Sequence, residues 1–486
     1  MRKLTKVLTL FVATAMLCIS TISAPVMAIE EQEKAPLIKY DLPYINEQTE
    51  MPILGYMGVP GNPIGTITPS FLTRANINAY KEAGFNILSG LYEKVPLHNS
   101  EVHKAVELCE ELELCYFVCD NKYRSSFDEP QASVPTKDYF VGLMQKDWYF
   151  ESPAFGGVAV RDEPSIHCFD QMGSVNSAIK EITNGKKLMY TNLFPKGANQ
   201  SQLGFANTTK SSTWEQYDEY VKSYLEKVNP TVLAYDCYTL TKPNAIVPDT
   251  NGKDGSVGNY FRSLSMMRAY AKQYNIPFWV TVASHDHVYS RKNIAFKQTS
   301  WVVNTSLAYG AKGVQYYTYW NDGAGSKNID SWADQGSERS QGLVSINGAL
   351  TDNYYRIQKI NKNIKLIDEV LLNAEHFGVM QFGMQFVELI PTDVLYSFGK
   401  LRNIKGDAFV GCFKYNGNDL YYIVNNSVDS GLKTFKADFT EEVNLKITGL
   451  NYVTDENPSG QVVKTGVSSV GFNLSGGEGV LVEVVR

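Results

Sequence analysis

Glu163 and Asp236 are the two carboxylates whose sequence surroundings point most directly at chemistry. Each closes a short apolar run. The first is Phe155-Gly156-Gly157-Val158-Ala159-Val160-Arg161-Asp162-Glu163, stopped by Pro164; the second is Val232-Leu233-Ala234-Tyr235-Asp236. Such runs of small and β-branched residues read as buried strands, whose side chains alternate between two faces. Gly157, Ala159, Arg161 and Glu163 then share one face, as do Val232, Ala234, Asp236 and Tyr238. In a closed barrel of parallel strands the C-terminal strand ends surround the site. With one strand between them, the two carboxylates stand on backbones about 10 Å apart. Carboxyl pairs at such spacing split glycosidic bonds: one protonates the leaving oxygen, and the other attacks the anomeric carbon or activates water. The expected roles are general acid/base for Glu163 and second carboxylate for Asp236. The competing reading is an Arg161–Glu163 ion pair that only holds the barrel mouth.

Other polar and aromatic residues fall at or near strand ends and are candidate sugar contacts: Tyr56, Asp120, Asp162, Asn192, Tyr235, Tyr238, Asp286, Gln315, Tyr317 and Trp320. Aromatic residues make up 12% of the chain, with 30 tyrosines, and sugar C–H faces stack on such rings. Asp286 lies between His285 and His287, but no ligand spacing elsewhere completes a shell, so neither metal nor other cofactor is expected. Gly-x-Ser-x-Gly is absent, which removes the main signal of an esterase.

The elements that position these residues are legible as an alternation. Strands are predicted over Ile53–Met57, Phe85–Ser89, Cys115–Asp120, Gly157–Glu163, Lys187–Leu193, Val232–Tyr238, Pro277–Ser284 and Gly313–Trp320. Helices are predicted between and after them, over Pro69–Ala83, Ser100–Leu112, Thr136–Trp148, Phe169–Ile182, Thr213–Val228, Val257–Tyr274, Ile294–Tyr309 and Asp352–Leu371. Eight strand–helix units are the size and rhythm of an α/β fold of the (β/α)8 TIM-barrel kind. A doubly wound open sheet would need a Gly-rich phosphate loop after a strand, and none follows any strand. After Leu372 the helical period gives way to short alternating runs, such as Phe409–Tyr415, Leu420–Val424, Val443–Ile447 and Val480–Val485. Turn residues such as Asn416-Gly417-Asn418-Asp419 separate them, which predicts a small C-terminal all-β sandwich. The expected organisation is a signal peptide over 1–28, a linker over 29–50, a barrel over 51–372 and a β-sandwich over 373–486.

The N-terminal segment has the order of a secretory signal: Arg2, Lys3 and Lys6, an apolar run from Val7, then small residues to Ala28. The expectation is a secreted protein with no membrane anchor after cleavage. Removing 1–28 leaves 42 basic against 51 acidic residues, a net charge of −9. That balance, without a basic cluster, argues against nucleic acid as a partner. Cys109, Cys115, Cys119, Cys168, Cys237 and Cys412 are too sparse for a disulfide scaffold and read as buried thiols.

Arg161-Asp162-Glu163-Pro164 resembles the fourth-strand Asn-Glu-Pro motif of the large clan of retaining β/α-barrel glycoside hydrolases. The resemblance implies general acid/base for Glu163, with Asp162 in place of an Asn that meets the sugar 2-hydroxyl. Gly313-Val314-Gln315-Tyr316-Tyr317-Thr318-Tyr319-Trp320 resembles that clan's closing strand and gives Trp320 the floor of a sugar subsite. Gly342-Leu343-Val344 to Tyr354-Tyr355, with Ile360-Asn361, is similar to the last-helix region of beta-galactosidase-like members. The clan's nucleophile is a Glu ending the seventh strand, which here reads Trp279-Val280-Thr281-Val282-Ala283-Ser284-His285-Asp286 and contains no Glu. Strands four and six also resemble those of chitinase-type hydrolases, ending on the same Glu163 and on Tyr235-Asp236. The aspartates that precede the chitinase Glu are Gly156, Ala159 and Arg161 here. Both resemblances imply a carbohydrate substrate. The missing seventh-strand Glu leaves open a carbohydrate-binding barrel without catalysis.

Overall fold

The computed structural model describes residues 38–61, 70–89, 99–123, 130–131, 133–237, 257–284, 296–320, 342–345, 348–383, 391–428 and 431–485. All belong to one compact unit, Ala35–Arg486. The signal-peptide reading therefore lies outside the described residues, as do Tyr238 and Asp286.

Eight parallel strands form one sheet: β1 Ile53–Gly55, β2 Ile87–Ser89, β3 Cys115–Val118, β4 Phe155–Ala159, β5 Leu188–Tyr190, β6 Leu233–Asp236, β7 Phe278–Ala283 and β8 Val314–Tyr317. Each of β1 to β5 pairs with its sequence neighbour, as do β6 to β8, and β8 pairs with β1. Between β5 and β6 the ring is closed just past β5: Leu193 donates to the Ala234 carbonyl at 2.9 Å and accepts from the Asp236 amide at 3.0 Å. The expected barrel is thus present. Around it lie α1 Arg74–Glu82, α2 Asn99–Leu112, α3 Lys137–Met144, α4 Phe169–Ile182, α5 Gln200–Leu203, α6 Trp214–Val228, α7 Val257–Tyr274, α8 Phe296–Ala308 and α9 Asp352–Asn373. The short α5 was not foreseen; four residues are too few to show a 3.6 period. Local chemistry starts these helices. Thr73 and Thr136 cap α1 and α3, and Thr213 forms a reciprocal capping box with Gln216 on α6.

The barrel interior holds Leu54, Ile87, Cys115, Phe117, Ala159, Leu188, Tyr190, Ala234 and Trp279. Tyr40, Leu42 and Ile45 join this core from the segment expected as a linker. Tyr40 meets Trp279 edge-on at 6.0 Å, and the Asp41 amide donates to Lys186 just before β5. These residues plug the N-terminal end of the barrel and leave the opposite mouth for a ligand. Strand β4 is bulged at Gly156, since Tyr116 faces Phe155 while Phe117 faces Gly157. A Cβ on Gly156 would overlap the Cys115 sulfur, and one on Gly157 the Leu188 carbonyl. Only glycine lets these neighbours approach so closely.

The C-terminal region is one antiparallel sheet of seven strands: β9 Glu375–Phe382, β10 Leu401–Lys405, β11 Ala408–Tyr415, β12 Asn418–Asn425, β13 Lys433–Thr448, β14 Gln461–Leu474 and β15 Gly479–Val485. The register of the long β13 slips between Asp438 and Val443. Its first half pairs with β10 and its second half with β15, so the sheet wraps a core of its own that includes Val410, Ile423, Phe435, Leu445 and Val482. Alternate residues Phe409, Phe413, Leu420 and Tyr422 join the barrel's helix-layer core instead. Hydrogen bonds fix this junction: Trp301 Nε1 donates to Asn426 Oδ1 at 2.9 Å, and Tyr422 Oη donates to Asn304 Oδ1 at 2.6 Å.

Candidate active site

The C-terminal mouth is floored by a polar network from β5, β7 and β8 and the segments that follow β4 and β5. Tyr190 on β5 donates to Asn192 Oδ1 and Gln315 Oε1, both at 2.8 Å. Thr281 on β7 donates to the same two oxygens at 3.0 and 2.9 Å. Asn192 Nδ2 donates to Gln315 Oε1 at 2.6 Å and reaches Asp162 Oδ1, on the segment after β4, at 3.4 Å. Pairing places these groups at one level, because Asp236 lies opposite Thr281 and Thr281 opposite Gln315. Burial pushes the Tyr190 phenol well above its ordinary value, and the charges of Asp236 and Asp162 add to the shift. Tyr190 therefore remains a protonated donor at neutral pH.

Glu163 and Asp236 stand on this rim. The Glu163 amide donates to the Asn192 carbonyl at 3.0 Å, and the Asp236 amide to the next carbonyl, Leu193, also at 3.0 Å. Both residues thus flank the same two-residue stretch. Asp236, the last residue of β6, is only 3% exposed, whereas Asp162 and Glu163 are half-buried. The predicted fourth strand ran to Glu163, but β4 ends at Ala159. Val160 still donates to the Tyr190 carbonyl at 3.1 Å, after which Glu163 adopts a left-handed backbone with φ +47°. Strand alternation does not extend through such a residue.

The remaining candidates divide. Asn192 and Gln315 lie in the floor network. Tyr56 and Tyr317 pack ring on ring at the mouth, with centroids 5.2 Å apart and planes tilted by 54°. Asp120, past the end of β3, accepts from the Tyr149 hydroxyl at 2.8 Å and pairs with Lys122 at 3.1 Å. It belongs to a rim cluster with Asp147 that secures the turn at residues 121–123. Tyr235 does not face the lumen. It packs in the helix-layer core and its hydroxyl meets Cys237 Sγ at 3.5 Å, as alternation with the inward Ala234 and Asp236 requires. Trp320 is 1% exposed and packs on Phe71 with centroids 4.8 Å apart, so it acts here as a core residue rather than an open sugar platform. Tyr190 and Thr281 were missed. Alternation would have found them, since each shares a face with an inward residue two positions away, Leu188 or Trp279. Among the described residues no three His, Cys, Asp or Glu side chains converge as a metal shell, and no helix is long and apolar enough to cross a membrane.

No family model matches the sequence, and no curated protein matches it. Solved structures of similar layout include a glucosidase from Croceicoccus marinus, at 9% identity and TM-score 0.44, covering 93% of this chain and 99% of that one. AmyP in complex with maltose matches at 10% identity and TM-score 0.46, covering 90% and 96%. A GH30 endoxylanase from Clostridium papyrosolvens matches at 8% identity and TM-score 0.39, covering 93% and 98%.

Proposed function

We propose that the chain is a secreted glycoside hydrolase acting on an oligo- or polysaccharide at the C-terminal mouth of the barrel. The observation that carries this reading is the pairing of the rim: Asp236 and the Asp162–Glu163 pair flank Asn192 and Leu193 from either side, over a buried floor of hydrogen-bonding side chains. One carboxyl group donates a proton to the glycosidic oxygen as the C–O bond breaks. The other either takes a proton from the attacking water or forms a glycosyl ester that water then opens. Asp236 supplies one of the two groups and the adjacent acidic pair the other. The half-buried Tyr317, backed by the buried Tyr56 ring, offers ring surface suited to sugar C–H faces. Export by cleavage after Ala28 belongs to the same proposal, and N-terminal sequencing of the secreted protein tests it.

The test of the activity is hydrolysis of a panel of polysaccharides and aryl glycosides by wild type and Asp236→Asn. Turnover reduced at least about a hundredfold in the variant supports the reading. Saturable glycan binding with no product from the wild type replaces it with a binding barrel. That second reading draws on Ala283 and Ser284 standing at the end of β7.

A further inference from the structure

We propose that the N-terminal end of the barrel, opposite the mouth, carries an oxyanion site in which Lys39 and Lys180 hold phosphate, free or as a monoester. The site does not depend on the glycosidase reading. The turns before β5, β6 and β7 meet there, with Asn184, Thr231 and Ile276 among the residues that line it. Together with Lys39, which precedes the plug residue Tyr40, they surround an open cavity of about 240 Å3. A single water needs only about 10–15 Å3 of such space.

The lining is basic and uncompensated. Lys39 and Lys180 both belong to it, and among the described residues no carboxylate does. Acidic residues close to them in sequence are engaged elsewhere: Asp41 pairs with Lys186 at 3.4 Å, and Glu181 with Lys137 at 2.6 Å. Lys39 has no hydrogen-bonding or ion-pair partner among the described residues. Lys180 Nζ donates to the Asn229 carbonyl at 2.5 Å, the ordinary task of a lysine beside a helix C-terminus. That carbonyl also receives Asn176 Nδ2 at 2.8 Å, so the end of α6 does not depend on the lysine. An ammonium group has three donors, which leaves two on Lys180 and all three on Lys39 for a ligand. Two ammonium groups on one cavity repel each other. Burial, and the Lys39 charge near it, hold the Lys180 ammonium below its ordinary value. An anion between them replaces that repulsion with charge-assisted hydrogen bonds. The buried Thr231 adds a hydroxyl from the cavity wall, and the exposed Asn184 an amide from its rim. Phosphate presents several acceptor oxygens to such donors, and the cavity leaves room for the organic part of an ester. Barrel chemistry belongs to the opposite face, so the effect expected here is on stability. The bound anion would tie the segment that plugs the barrel, through Lys39, to the turns beneath β5 and β6.

The experiment titrates the full chain with inorganic phosphate and follows the melting transition at pH 7, with sodium chloride holding ionic strength constant. The expected result is a saturable rise in Tm, with one phosphate retained per chain in equilibrium dialysis. Lys39→Met and Lys180→Met should each raise the half-saturating concentration at least about tenfold, because each removes a charge-assisted hydrogen bond. Lys39 is exposed, so its variant folds even where the Lys180 variant does not. Tighter binding of glycerol 3-phosphate than of inorganic phosphate assigns the site to a monoester, and the reverse assigns it to the free ion. A rise that never saturates, or that both variants share with the wild type, overturns the site, because excluded salts stabilise proteins without binding. No rise in Tm and no phosphate retained on dialysis overturn it as well.

Discussion

Lys312 offers a quantitative test of how the barrel is joined to its last helix. The residue precedes β8, is 2% exposed, and donates to the Leu371 carbonyl and, at 3.1 Å, to Ala374 O. These are terminal carbonyls of α9, which have no partner within the helix. Burial pushes the Lys312 ammonium down to about 7 from 10.5. Between those values the unfolded chain holds a proton that the folded chain has released, so this group's contribution to stability rises with pH, by about 1.4 kcal/mol per unit. From pH 7 to 9 the gain is about 2 kcal/mol, and over the whole window about 5 kcal/mol. Lys312→Met keeps the length of the side chain and removes the titration. It also leaves two buried carbonyls without a donor, which costs about 1–3 kcal/mol each at any pH. Guanidinium unfolding followed by tryptophan fluorescence at pH 7, 8 and 9 yields both quantities. The wild type should gain about 2 kcal/mol more than the variant across that range. Parallel pH profiles for the two proteins would falsify the reasoning, because the released proton would then belong to another group.

Four further outcomes follow from particular contacts. His376 Nδ1 accepts from Arg268 Nε, and its Nε2 lies 2.9 Å from the Ala308 carbonyl. Burial, with Arg268 and Lys312 close by, holds its pKa well below 6.5. The unfolded chain therefore takes up this proton first, and stability should fall as pH drops through 6.5; His376→Gln should show a shallower fall in the same denaturation series. Gly156→Ala should destabilise by about 1–3 kcal/mol through overlap with Cys115, and Cys115→Ala should recover part of the loss; additivity of the two changes in thermal melts refutes the overlap. Trp301→Ala, which also removes the hydrogen bond to Asn426, should cost about 3–5 kcal/mol, and an unchanged denaturation midpoint would mean that the junction does not hold the fold together. Thr213→Ala should cost about 1 kcal/mol by opening the capping box of α6, with Thr213→Ser restoring most of it in urea titrations.

The amino-acid sequence by itself determined what depends on neighbours along the chain. Hydrophobic period marked Phe169–Ile182 and Val257–Tyr274 to the residue. Sequence signals also marked the alternation of strands and helices, the Asn416-Gly417 turn between β11 and β12, and the carboxylates just past β4 and at the end of β6. These signals are local, because a period of 2 or 3.6 is set by backbone geometry within each element. Tertiary structure decided the rest. Alternation reaches only as far as the strand, and Glu163 lies past it with a left-handed backbone, while packing across β5 brought Asp162 to Asn192. Tyr235 and Trp320 carry the same residue types as sugar contacts, yet neighbours distant in sequence bury them in the core. Tyr40, Leu42 and Ile45 sit in a stretch with too few residues to show a period, and only the open end of a closed barrel gives them a place to pack. Which groups share a lumen is a property of strand order and closure, and chain spacing does not encode it.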